Sequence, residues 1–418
     1  MISFQQENVI APDKWKYVSL NEVLDQRSEI FQPSPKIREK FVGLEHIESG
    51  ESKLKKFETN LDLKSTKSRF YLGDILYGKL RPYLDKAAIS DIEGICSTDL
   101  LVLTPKKEKS IAEFLINVFH SHNFIKYSIS TTSGTNHPRT SWNAISEYVF
   151  YLPPLPEQRR IAAILTTVDD AIQRSRQAAA ETERLKAGVM QKLMTKGIGH
   201  TEFREDPEIG TVPNEWKTLK LEDICISNAF GPRFSNSFYD DLGNVAVLRT
   251  TDLDPDGNIS YEQMPRANLD LNAFKDHFLH PNDLVISRSG TCGIGAIFSG
   301  YKIPVLPGAF LIRFRLSPEI DPQFLKQYIN SSFGKKQITK LECGGVQKNL
   351  KGSALLKIKI PHPSPSEQQH IISVISCIDH KLSFQRKRIA NYKRLKQGLM
   401  NELLTGKWRV KNDTGDMK

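Results

Sequence analysis

The second half of the chain repeats the first, and this constrains its fold more than any other feature. Residues 157–196 align without a gap to residues 367–406 at a constant offset of 210, with 13 of the 40 positions identical. Glu157/Glu367, Gln158/Gln368, Asp169/Asp379 and Lys186/Lys396 are among the matched pairs. The upstream ends match as well: Pro12-Asp-Lys-Trp15-Lys16 corresponds to Pro213-Asn-Glu-Trp216-Lys217 at an offset of 201. Between these ends, residues 21–148 and 222–356 resist gapless alignment, and the change of offset leaves a net difference of 9 residues there. A duplicated chain offers two related surfaces. A repeated frame around divergent middles points to two recognitions of different things, held in a fixed relation. Duplicated catalysis would more often repeat its reactive residues.

A chain of 418 residues is long enough for two to three domains, each burying its own core. Its net charge of +10 and pI near 9.1 favour a polyanionic partner. Five cysteines (Cys96, Cys225, Cys292, Cys343 and Cys377) form no C-x-x-C pair and are odd in number. That argues against a zinc site or a disulfide framework and for a reducing cytoplasm. The N-terminus has no basic segment followed by an apolar run, and no stretch approaches the roughly 18 apolar residues of a membrane span. Neither secretion nor a membrane location is expected.

The first 150 residues read as short mixed elements of an α+β domain. Residues 70–77 and 100–104 are strand-like, and residues 111–124 look helical. The prolines of Leu152-Pro-Pro-Leu-Pro156 are expected to delay a long helix until Glu157, and residues 360–366 are the counterpart before Glu367. In the first helix, positions 161, 165, 168, 172, 175, 179, 182, 185, 189 and 193 are mostly apolar or small. The second repeats this 4-3 spacing from Ile371 to Leu403, including Leu395. Such a stripe predicts a coiled-coil seam. Arg174, Arg176, Arg184 and Lys186, with Arg386, Lys387, Arg388, Lys393, Arg394 and Lys396, then form a solvated basic face. Alone, each helix would leave its apolar stripe wet, so the two are expected to pair antiparallel. Gly197-Ile-Gly199 and Thr405-Gly406 end them. The resulting division is a first recognition domain at 1–155 and a helix at 156–199, a second domain at 200–362 and a helix at 363–408, and a tail at 409–418. Residues 200–215 serve as a connection.

Few known reactive motifs are present. Gly290-Thr-Cys-Gly293-Ile-Gly295 lacks the lysine and following helix of a phosphate loop and is read as a tight strand turn. Asp252-Leu-Asp254-Pro-Asp256-Gly257 imitates the start of a calcium loop, but Gln263 stands where a bidentate glutamate is needed, and a strand-turn-strand connection is expected. The ten histidines form no H-E-x-x-H set, and there is no G-x-S-x-G elbow.

More informative are basic and polar clusters between apolar segments. Tyr77-Gly-Lys79-Leu-Arg81-Pro-Tyr83 combines cations with aromatics, and Gly134-Thr-Asn136-His-Pro-Arg139-Thr-Ser141-Trp142 adds varied donors. The second half offers Arg288-Ser289 and Gln347-Lys348-Asn349. Arg and Lys suit phosphates or guanine, while Asn, Gln and Ser suit base edges. Tyr77, Lys79, Arg81, Asn136, Arg139, Ser141, Trp142, Arg288, Ser289, Gln347, Lys348 and Asn349 are therefore the candidate DNA-binding residues.

In these features the chain resembles the DNA-specificity subunits of type I restriction-modification systems. The resemblance rests on Pro154-Leu-Pro156-Glu157-Gln158-Arg-Arg-Ile161, its echo Pro363-Ser-Pro-Ser-Glu367-Gln368, and the helix ends Leu185-Lys186-Ala-Gly188-Val-Met190 and Leu395-Lys396-Gln-Gly398-Leu-Met400. Residues 41–50, 77–83 and 134–142 add to it. The second copy departs from the pattern: Pro363-Ser-Pro-Ser366 replaces the Pro-Leu-Pro form, and no tryptophan stands near Asn349. The resemblance covers essentially the whole chain. It implies an α+β protein with two similar target recognition domains joined by two long antiparallel helices, an internal duplication with pseudo-twofold symmetry. It further implies a noncatalytic subunit that binds a bipartite double-stranded DNA target. Its partners would be two methyltransferase subunits and motor-nuclease subunits, whose adenine methylation and DNA cleavage it would direct. The chain itself would carry no cofactor, since S-adenosylmethionine, ATP and magnesium would belong to the partners. The alternatives are a stand-alone nucleic-acid-modifying enzyme with duplicated sites, and a scaffold that binds only proteins.

Overall fold

The computed structural model describes residues 12–32, 39–59, 65–342 and 349–410. It divides into two compact units, Met1–Ala178 with Gln385–Lys418, and Ala179–Phe384. The long helices span Leu155–Lys196 and Pro365–Leu403, so each unit contains the N-terminal part of one and the C-terminal part of the other. The compact bodies therefore cut across both helices instead of leaving them as separate segments.

In the first unit, a four-stranded antiparallel sheet runs in the order Leu24–Gln26, Leu100–Pro105, Ile75–Gly78, Ala87–Ile89. A second sheet contains a parallel pair, Phe41–Val42 beside Gly94–Cys96. The segment 70–77, expected as one strand, is two strands, Lys67–Phe70 and Ile75–Gly78, because Gly73 turns the chain at φ +87. Likewise residues 111–124 are not one helix. Ala112–Phe119 stops at His120, and Ser121 starts His122–Ser130 by accepting from the Phe124 N–H. Side chains alternate along Ile75–Gly78: Ile75 and Tyr77 enter the core that contains Phe114, Phe119 and Phe124, while Leu76 enters that of the second sheet.

The second unit has the same plan. Its four-stranded sheet runs Cys225–Phe230, Leu311–Leu316, Leu284–Ser287, Gly295–Ile297, and Val245–Leu248 lies parallel to Val305–Pro307. The middles that defied alignment thus share a fold. From Phe114/Phe324 and Ser121/Ser331 onward they even keep the offset of 210, and Ser331 caps Ser332–Leu341 as Ser121 caps its helix. Residues 200–215 are more than a connection, since Phe203–Asp206 and Gly210–Pro213 form a hairpin whose Ile209 and Val212 are buried in the second unit's core.

Both long helices begin earlier than the prolines suggested, at Leu155 and Pro365. A proline is tolerated in the first turn, where its missing N–H would have no partner anyway. The repeated Glu-Gln pair then ties each helix to its own unit. The Trp15 indole donates to Glu157 at 2.9 Å and the Trp216 indole to Glu367 at 2.9 Å. Arg409 holds Glu157 with two further hydrogen bonds, of 2.9 and 3.0 Å. Burial opposes the charge on Glu157, but the bonds from Arg409 and Trp15 outweigh it and keep its pKa below the usual carboxylate range. Gln158 accepts from the Ile111 N–H and donates to the Lys109 and Pro153 carbonyls, while Gln368 accepts from the equivalent Asp321 N–H and donates to Pro363. A neutral amide suits this task because it is both donor and acceptor.

The apolar seam is buried through Ile161, Leu165, Val168 and Ile172 and through Ile371, Ile375 and Leu382. It fails at one equivalent position in each helix: Leu185 is 54% exposed and Leu395 is 50% exposed. The next residue turns inward instead. Lys186 pairs with Asp379 at 2.6 Å in the second unit, and Lys396 with Asp169 at 2.6 Å in the first. Two lysines read as solvated are therefore internal ion pairs, and Arg176 also pairs, with Glu51. Lys186→Ala or Lys396→Ala leaves a half-buried carboxylate without its paired lysine, with Gln327 or Ser52 as a neutral donor, and is expected to cost roughly 1–3 kcal/mol. Urea unfolding checks this. Removing the aspartate as well should recover part of the loss.

Candidate nucleic-acid interface

The loop following Ile75–Gly78 meets the segment 133–140 through backbone hydrogen bonds. The Thr140 N–H donates to Lys79 O at 3.0 Å, the Arg81 N–H to Pro138 O at 2.8 Å, and Leu80 bridges to Arg139. Arg81 adopts a left-handed conformation, φ 52, immediately before Pro82, and this turns the loop back on itself. Lys79 and Arg81 are thereby brought together with Arg139, which is far from them in sequence. Asn136 and Arg139 are exposed, and Lys79 and Arg81 are half-buried. Arg139 also faces Asp99, its Nε 3.3 Å and Nη2 3.2 Å from Oδ1. Asp99 was not among the expected residues; its signal is its position just before the strand Leu100–Pro105.

Three of the candidates have internal duties. Tyr77 is 3% exposed, packed against Phe119 and Phe124 with ring centroids 5.3 and 5.6 Å away, and burial pushes its hydroxyl up to about 12. It is a core residue and does not face a ligand, as strand alternation from Ile75 dictates. Ser141 caps the helix Trp142–Ile145 by accepting from the Ala144 N–H. Trp142 is half-buried against the core.

The second unit gathers its candidates in the same way. The Leu350 N–H donates to Arg288 O at 3.0 Å, and Ser289 bridges to Asn349. Arg288 therefore stands at the place of Lys79, and Asn349 at that of Arg139. The Arg288 N–H donates to Phe310 O as the Lys79 N–H donates to Asp99 O, so the exposed ring of Phe310 replaces the Asp99 carboxylate. Arg288 donates Nε to Asn349 Oδ1 at 3.2 Å and lies over the Phe230 ring at 4.7 Å. The missing tryptophan has a physical counterpart. Gly352 occupies the position of Trp142, and a Cβ there would meet the Phe230 ring at 3.0 Å, so this ring takes the space. Gln347 and Lys348 lie outside the described residues.

The remaining sequence motifs are local structure. The Asp254 carboxylate accepts from the Asp256 and Asn258 N–H groups within a turn between bridged Leu253 and Ile259. Among the described residues no helix is long and apolar enough to cross a membrane.

A family model described as the type I restriction modification DNA specificity domain matches residues 12–183 and again residues 213–393. The chain is 30% identical over 331 residues to the type I restriction enzyme MjaVIII specificity subunit of Methanocaldococcus jannaschii, covering 77% of this chain and 76% of that protein. It is 27% identical over 416 residues to the putative type I restriction enzyme MjaX specificity subunit of the same organism, covering 96% and 95%. Its backbone is similar, at a TM-score of 0.62 and 20% identity, to a solved chain from work on complex assembly and conformational transition of a type I restriction-modification system. That likeness covers 96% of this chain and all of the other, and at such identity it concerns the fold alone. The twofold family match falls on the two units that share one strand order and one loop arrangement, and the chain belongs to the type I restriction-modification DNA-specificity family.

Proposed function

We propose that the chain is the noncatalytic recognition subunit of a type I complex and reads a bipartite double-stranded DNA target, one half with each unit. The observation that carries this is the pair of equivalent loop clusters built on one scaffold with different side chains. Lys79, Asp99 and Arg139 stand in one unit where Arg288, Phe310 and Asn349 stand in the other. Equal frames with unequal donors suit two different base sequences.

The long helices act in this reading as an antiparallel coiled-coil spacer with pseudo-twofold symmetry. It is supported by the two matching ion pairs, Asp169 with Lys396 and Asp379 with Lys186, each joining the N-terminal part of one helix to the C-terminal part of the other. Two methyltransferase subunits dock on the duplicated frame, with motor-nuclease subunits beyond them. S-adenosylmethionine, ATP and magnesium serve those partners. The exposed Leu185 and Leu395, equivalent in the two helices, belong to the docking surfaces.

Native mass spectrometry of the co-expressed complex tests this. Two methyltransferase copies per chain are expected, one copy after Leu185→Asp or Leu395→Asp, and none after both. The purified chain should neither methylate nor cleave DNA by itself. A single partner at saturation in the unmodified complex, or activity of the chain alone, would sink this reading.

A further inference from the structure

In the loop cluster of each unit one arginine is held through its Nε. In the first, Nε of Arg139 donates to Oδ1 of Asp99 at 3.3 Å, and Nη2 lies 3.2 Å from the same oxygen in an ion pair. In the second, Nε of Arg288 donates to Oδ1 of Asn349 at 3.2 Å while the guanidinium plane lies over Phe230. The arginine comes from opposite loops in the two cases, because Asn349 is the counterpart of Arg139. Both arrangements arrive at the same result by different residues.

A guanidinium carries five N–H donors in a rigid plane. Held through its Nε side, it keeps the far edge, made by its two terminal nitrogens, for a ligand. Its orientation is then fixed before binding, so less side-chain freedom is lost when the contact forms. Two parallel donors on that edge match the O6 and N7 acceptors of guanine in the major groove, a pair that no other base presents there. Asp99 adds a second effect. A carboxylate beside the arginine repels phosphate, which discourages Arg139 from settling on the DNA backbone.

We propose that Arg139 and Arg288 are pre-oriented guanine readers, one for each half of the target, and that Asp99, Asn349 and Phe230 are the positioning residues that hold them. This rests on the DNA-recognition reading above and assigns its base class. The residues at 99 and 349 thereby become determinants of specificity that need not touch DNA.

The test measures binding of the assembled complex to its selected target and to targets altered one base pair at a time. Each half-site is expected to contain a guanine whose replacement weakens binding about tenfold or more. Asp99→Ala removes the oxygen that holds Arg139, and should reduce that ratio several-fold in the first half-site only and strengthen binding to unrelated DNA. Arg139→Lys keeps the charge but loses the fork, and should lose the same preference. Thermal melting of each variant separates these effects from misfolding. Full guanine preference in both variants would overturn the inference. So would an Arg139→Ala variant that weakens all sequences equally and lowers the salt slope by about 1, which marks a phosphate contact. If Arg139→Ala and Lys79→Ala change neither affinity nor selection, the DNA-facing assignment of the surface itself fails, and the inference falls with it.

Discussion

Inserting four residues after both Ala180 and Ala390 is expected to widen the unspecified spacer of the DNA target by about one or two base pairs, with both half-sites unchanged in sequence. Four residues are close to one helical turn, so the insertion nearly keeps phase and adds about 6 Å, against a rise of roughly 3.4 Å per base pair. Both positions are exposed and lie inside continuous helices of 42 and 39 residues. Each ion pair should survive, because Asp169 and Lys396 lie on one side of the two insertion points and Lys186 and Asp379 on the other. Sequencing the sites methylated by the altered complex in random DNA reads the result. A folded complex that still modifies only the original spacing would show that the helices do not set the distance.

Replacing Lys79, Arg81 and Arg139 together with alanine is expected to weaken DNA binding by about 10²-fold and to flatten its salt dependence. Lys79 and Arg81 are the expected phosphate contacts, each removing roughly 0.9 from the slope of log affinity against log salt when lost, while the loss of Arg139 lowers affinity through its base contact. Arg81 sits in a left-handed turn, so the Lys79→Ala/Arg139→Ala pair serves as a second variant that leaves this backbone alone. Filter binding across a salt series, with a melting curve for each variant, is the measurement. Affinity and slope unchanged in a folded variant would place the DNA-facing surface elsewhere.

Much of the frame was legible in the sequence, because its devices use identical residues twice. Glu157/Glu367 and Gln158/Gln368 stood out as repeats, although only the structure shows that the acid clamps a tryptophan and the amide clamps the backbone before a helix. The shared fold of the middles was hidden by length changes upstream of about residue 111, which broke the register even though 114/324 and 121/331 still matched. The seam was misjudged at Leu185 and Leu395 because a strict 4-3 spacing drifts on a helix of 3.6 residues per turn. Lysine is also not expected inward until its aspartate partner is seen. In the loop clusters, composition singles out Arg139 and Arg288 as candidates but cannot separate Tyr77, whose ring faces the core, from its exposed neighbours. Asp99 is not marked by periodicity, because its contact with Arg139 forms only where two loops meet.

The most direct measurement is selection from random double-stranded DNA by the assembled complex, followed by sequencing of the retained molecules. Two short constant elements separated by a fixed run of unspecified base pairs are expected. The pair Lys79→Ala/Arg139→Ala should degrade one element and leave the other intact. A single uninterrupted motif, no motif at all, or loss of both elements together would contradict two units reading two half-sites.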